Sequence, residues 1–171
     1  SDPAISFCRT QHKLDVLHVK SRTELPRGFG VVRLAHVLEH VSDPLDLLEF
    51  STDRLEAGGL LYIEVPNFSS FMSTLRGRSW RFIRKDHLSY FTRLTLASLL
   101  EKAGLTVLQM KATGSLGVTP LLNRWLTRWS GPFIKDHPWG LPAKIAYLSL
   151  MSRLRLGDFI RVYATKPTNG A

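Results

Sequence analysis

The chain has 171 residues, 44% of them hydrophobic, and 23 Lys and Arg against 14 Asp and Glu give a net charge of +9. Such a length suits one domain with a substantial core, and the apolar content excludes a disordered chain. The charge favours an acidic partner, whether nucleic acid, anionic lipid or a phosphorylated substrate, without choosing among them.

Ser1-Asp2-Pro3 opens a helix, with Ser1 or Asp2 as cap and Pro3 at the first helical position, and the helix runs to about His12. Leu14 to Val19 alternates as a short strand. After a polar loop through Pro26 and Gly28, Phe29 to Leu34 reads as a strand covered on both faces, because Val31 and Val32 are adjacent. Asp43-Pro44 opens a second helix, and Gly58-Gly59 reads as its stop. Leu60 to Val65 is a strand, residues 66–86 a loop or irregular helix, Thr92 to Lys102 a helix halted at Gly104, and Leu105 to Ala112 a strand. Residues 114–156 break this rhythm and hold three of the four tryptophans; Phe159 to Ala164 is a final strand. Helices alternating with strands indicate α/β architecture without an internal repeat. The lone cysteine, Cys8, excludes an internal disulfide and a Cys-cluster zinc site and fits a reducing, cytoplasmic setting. No apolar run approaches the ~20 residues of a membrane span, and no signal peptide is visible.

Residues 34–67 carry the most information. They read as strand, turn, helix, Gly-Gly and strand, ending at Pro66 and Asn67. In an open α/β sheet, ligands bind where strands hand over to loops at their carboxyl ends. The first of these two ends bears His36, Glu39 and His40. His36 and His40 have the i,i+4 spacing of a zinc helix, but Glu39 stands in the wrong place for His-Glu-x-x-His, so no metal site is expected. Glu39 and His40 read instead as a solvated or helix-capping pair.

The run His36-Val37-Leu38-Glu39-His40-Val41, Asp43-Pro44, Leu55-Glu56-Ala57-Gly58-Gly59 and Val65-Pro66-Asn67 resembles the class I S-adenosylmethionine-dependent methyltransferases. The closest likeness is to the subgroup of ubiquinone-biosynthesis and sugar or small-molecule O-methyltransferases. Trp80, His87-Leu88-Ser89-Tyr90-Phe91-Thr92 and Leu99 through Leu105 continue it, and it resumes at Gly157-Asp158 through Pro167. The resemblance implies a partial Rossmann-like sheet, mostly parallel with its last strand antiparallel and its first strands lacking. Residues 1–171 would form a single incomplete domain, with 114–156 a helical insertion or lid. It starts just beyond the family's glycine-rich loop and acidic strand end, and the usual acids are replaced by Gly30 and near Ser21-Arg22. With Ser1 rather than Met first, the expectation is a piece of a longer protein that alone binds the cofactor weakly; the alternative is a shortened, degenerate module.

The resemblance further implies S-adenosyl-L-methionine as cofactor, with Ala35, His36 and Val37 lining its methionine end and Asp2 and Ser21 as weaker contacts. Methyl transfer from a sulfonium needs few catalytic side chains, because the methyl carbon is already activated. His87 is the candidate general base, oriented by Asp86, since histidine titrates near neutrality; a loop-locking histidine is the other reading. Pro66, Asn67, Trp80 and Tyr90 are the candidate acceptor contacts, the acceptor being a small or lipid-like molecule with a hydroxyl or similar group. In 114–156, Leu121, Leu122, Trp125, Leu126 and Trp129 recur at helical spacing beside Arg124 and Arg128. Such a basic amphipathic segment suits a lid or core packing, or contact with an anionic membrane that would make the protein membrane-peripheral. It is also the surface through which the degenerate module would bind a partner. The basic residues are dispersed without a nucleic-acid motif, so nucleic acid is not the expected partner.

Overall fold

A computed structural model describes residues 2–16, 24–114 and 156–168, together with residues 146, 149, 150, 153 and 154. Four strands form one mixed sheet in the order β1-β2-β4-β3, where β1 is Phe29–Ala35, β2 Leu55–Pro66, β3 Thr106–Thr113 and β4 Phe159–Thr165. β1 pairs parallel with β2, and β4 lies antiparallel between β2 and β3. Three strands therefore share one direction and the last in sequence opposes them, the α/β class the sequence implies. The helices are α1 (Asp2–His12), α2 (Pro44–Arg54), α3 (Phe71–Arg76) and α4 (Arg93–Lys102).

Local chemistry accounts for most of these boundaries. The Asp43 side chain accepts from the Asp46 backbone N–H at 3.0 Å, with Pro44 at the first helical position of α2. Thr92 and Thr95 close a reciprocal capping box on α4. Gly104 follows in a left-handed conformation, φ +73°, that L side chains rarely adopt. The core joins Leu38 and Leu48 to Leu61, Ile63 and Val65 of β2, Leu96 and Leu100 of α4, and Ile160, Val162 and Ala164 of β4. Inward residues of β2 alternate, so one face of the sheet is sealed by α2 and α4.

Three expectations are corrected. Residues 14–16 are not in a strand, and residues 17–19 lie outside the described ones. α2 does not run to Gly58-Gly59: it ends at Arg54, and Leu55, buried and paired with Phe29, already belongs to β2. The next pairing is Val31 with Leu60, so Glu56 to Gly59 bulge out between the two. Gly58 turns there at φ +77°, and a Cβ on Gly59 would stand 2.9 Å from the Glu56 carbonyl oxygen. Third, β1 is not covered on both faces. Among the described residues it is the outer strand of the sheet, and Val31 is 61% exposed.

The insertion expected at 114–156, with its lid, core-packing and membrane readings, falls almost entirely outside the described residues. Among the described residues no helix is long and apolar enough to cross a membrane. Leu61 and Val31 give a direct check on which face is sealed. Leu61→Ala is expected to cost about 2–5 kcal/mol in urea denaturation. Val31→Ala should change stability by less than about 0.5 kcal/mol.

Candidate functional site at the strand tips

The ladder between β1 and β2 runs to Ala35 opposite Glu64, and the His36 N–H adds one further bond, 2.9 Å, to the Glu64 carbonyl. The tips near residues 35 and 66 therefore lie side by side at one end of the sheet. Beyond that bond the chain turns sharply: His36 has φ +53°, rare for a residue with a side chain. Its ring is held on three sides. Nδ1 faces Glu39 Oε1 at 3.2 Å, Nε2 faces Glu64 Oε1 at 3.3 Å, and Phe159 lies edge-on at 5.1 Å. Ala35 is half-buried and Val37 exposed, so residues 35–37 form a small apolar wall beside a polar hinge.

Glu64 anchors this arrangement from β2. Its Oε2 accepts from the Tyr62 hydroxyl and from Arg161 Nε on β4. Burial pushes its carboxyl pKa up, but the Tyr62 and Arg161 donors and the nearby His36 outweigh burial and hold it below the ordinary 4.5.

A short 3₁₀ turn, Leu38–His40, follows the hinge. The Glu39 backbone carbonyl accepts from the N–H groups of both Leu88 (2.8 Å) and Ser89 (3.1 Å), which ties the turn to the loop before α4. The expectation of a solvated Glu39 is thereby overturned: its side chain is 1% exposed because that loop folds over it. Only Oε1 finds a partner, in His36; Oε2 is buried and has none. His40 Nδ1 donates to the Asp86 carbonyl at 2.7 Å. Asp86 does not orient His87 as expected, since its carboxylate is gripped by Arg84 at 2.9 and 3.2 Å. His87 packs edge-on to His40 at 4.7 Å and stacks on Phe82, and its Nδ1 is buried without a partner. Burial depresses the His87 pKa, opposed by the Glu39 and Asp86 charges and assisted by His40 and Arg84.

The remaining candidates divide. Trp80 is buried against Phe68 and Phe82, and Tyr90 lies beside Phe68 with its hydroxyl 3.4 Å from the Arg84 carbonyl, so both belong to the aromatic cluster around His87. Asn67 does not fit the role of an acceptor contact. It is wholly buried, donates from Nδ2 to the Gly157 carbonyl and accepts at Oδ1 from Ser69 N–H, a brace between the β2 tip and the start of β4. Pro66 is buried with it. Asp2 opens α1, and Ser21 lies outside the described residues. Asp158 was missed by sequence reasoning. It sits beside Ser70 and Arg81 with Oδ1 buried and unpartnered, and desolvation raises its pKa.

A parallel strand pair whose adjacent tips carry a polar hinge, on a sheet with an antiparallel strand wedged in, defines a Rossmann-like domain of the class I methyltransferase type. Residues 4–110 match the family described as a methyltransferase domain, and the chain belongs to that family. A SAM-dependent methyltransferase from Archaeoglobus fulgidus superposes with TM-score 0.55 at 19% identity, covering 97% of this chain and 73% of the other. One from Thermotoga maritima gives TM-score 0.50 at 19% identity, covering 85% of this chain. The chain spans 61% of that Thermotoga protein. Comparison with curated proteins by sequence gives no match.

The strength of the Glu64 anchor is testable through pH. A carboxyl whose pKa is depressed in the folded state adds stability above its unfolded pKa, and that stability is lost as pH falls through the folded value. Glu64→Gln should therefore be less stable than the parent by about 1 kcal/mol at pH 7. The gap should close progressively below about pH 4.5, read by urea denaturation at both ends of the range.

Proposed function

We propose that this chain is the carboxyl-terminal part of an S-adenosylmethionine-dependent methyltransferase acting on a hydroxyl or similar group of a small-molecule, sugar or lipid-like acceptor, of the ubiquinone-biosynthesis and small-molecule O-methyltransferase type. The single observation that carries the reading is the side-by-side pair of strand tips, with His36 bonded to the Glu64 carbonyl between them. A ligand crevice belongs at that end of an α/β sheet. The half-buried and exposed positions 35 and 37 suit contact with the methylene chain of the cofactor's methionine end, and the sharp hinge at His36 turns the following backbone out of its way.

When bound, S-adenosylmethionine supplies an activated methyl carbon, so the protein's share is placement, exclusion of water and handling of one proton. The second strand tip leads into the aromatic cluster of Phe68, Trp80, Phe82 and Tyr90, which suits the acceptor side. His87 supplies there a buried ring nitrogen with no hydrogen-bond partner, Nδ1, as the candidate base for the acceptor's hydroxyl. The polar atoms near it favour a hydroxylated acceptor over a wholly apolar one.

Two measurements test the reading. Calorimetry with S-adenosylmethionine should show binding to the longer protein of which this chain is the proposed carboxyl-terminal part, and Val37→Trp, at an exposed position on the wall, should weaken it at least about tenfold while leaving the melting temperature near that of the parent. Methyl label carried by the cofactor should then appear on a hydroxylated small acceptor. Absence of cofactor binding by the parent protein, or equal binding by the tryptophan variant, would remove the basis for placing the cofactor at residues 35–37.

A further inference from the structure

The loop before α4 brings His87 against the 3₁₀ turn that carries Glu39 and His40, and one ligand-capable atom from each of the three lies within 4.8 Å of the others. Two of these residues hold buried polar atoms with no partner, Glu39 Oε2 and His87 Nδ1. An unpaired buried carboxylate oxygen is costly, and Glu39, 1% exposed, is shut off from bulk solvent. His40 completes the set. Its Nδ1 faces the Asp86 carbonyl, which can only accept, so Nδ1 carries a hydrogen and Nε2 is the nitrogen left to face a metal. A hydrogen bond from the second ring nitrogen to a backbone carbonyl is the usual support of a metal-bound histidine.

We propose that Glu39, His40 and His87 form a binding site for one divalent transition-metal ion of the zinc, cobalt or manganese kind. Two imidazoles with one carboxylate favour these ions over magnesium or calcium, which take oxygen ligands. Atoms sharing an ion at ~2.1 Å lie at most about 4.2 Å apart, so the present spread closes by a small side-chain rotation, which the partly exposed His40 has room to make. Three protein ligands leave a coordination position open, the arrangement of a catalytic rather than a structural site. The sequence argument against a metal considered His36 and His40. The observed cluster instead leaves His36 outside, steadying Glu39 through Oε1.

A cation at this place lies one side chain from the cofactor wall, since His36 bridges Glu39 to the strand tips. With the ion bound, His87 is a ligand and no longer a free base: the ion itself would take the acceptor's hydroxyl oxygen as a further ligand, lowering that group's pKa so that its proton passes to solvent water before the oxygen attacks the methyl carbon and the carbon–sulfur bond breaks. This role rests on the methyl-transfer reading; metal binding itself does not.

The test is therefore made on binding first. The full chain is stripped with chelator and titrated with Zn²⁺ by calorimetry and with Co²⁺ by visible absorption. The expected result is one ion per chain, a cobalt spectrum with nitrogen ligation, and a rise in melting temperature on adding metal. Glu39→Gln, His40→Gln and His87→Gln should each weaken binding at least about tenfold. His12→Gln, on exposed α1, should leave affinity unchanged. Because Glu39→Gln alters a buried group and can disturb folding, His40→Gln, at an exposed position, provides the independent check. No stoichiometric binding by the parent, or binding undiminished in both His40→Gln and His87→Gln, overturns the site. Metal binding without methyl transfer would overturn the proposed reaction and leave the site standing.

Discussion

The pairing of β1 with β2 is the constraint from which the rest of the site follows. Because the ladder is parallel, both strands end at the same edge, and the bond from His36 N–H to the Glu64 carbonyl carries the pairing one residue past the strand. Everything that faces the proposed ligand hangs from that last rung: the left-handed hinge at His36, the turn at Leu38–His40, and through the Glu39 carbonyl the loop that delivers His87. A shift of register by one residue would send Glu64 to the opposite face of the sheet and leave His36 without its carboxylate.

The antiparallel β4 contributes to the same end from the other side. Its register sets Arg161 opposite Glu64, which places a guanidinium on the carboxylate that faces His36. Phe159, at the start of β4, packs edge-on against both His36 and Phe82, so one aromatic ring touches both the polar hinge and the aromatic cluster around His87. Asn67 fastens the β2 tip to the segment entering β4. Strands β2 and β4 thus hold the site from its two ends, while α2 and α4 do no more than seal the face beneath.

Legibility in the sequence followed the range of the interactions involved. The Asp43 cap, the Thr92 capping box and the Gly104 stop are settled within four residues, and the elements they bound appear where the sequence puts them. Gly58-Gly59 misled, because glycine serves a helix end and a strand bulge equally, and only the distant partner Phe29 decides which. Val31 and Val32 misled likewise: adjacent valines describe a strand able to be covered twice, whereas the cover depends on neighbours absent among the described residues. The site divides on the same line. The strand tips and His36 were readable from local order, but the burial of Glu39 depends on N–H groups from Leu88 and Ser89, and the pairing of His40 with His87 depends on that closure. The diversion of Asp86 to Arg84, two positions away, was a choice between neighbouring partners that spacing alone leaves open.

β1 has a partner along one side only among the described residues, and its other side presents amide and carbonyl groups beside an outward valine. A row of that kind accepts any extended peptide of suitable length, which gives the sheet a direction in which it can still grow.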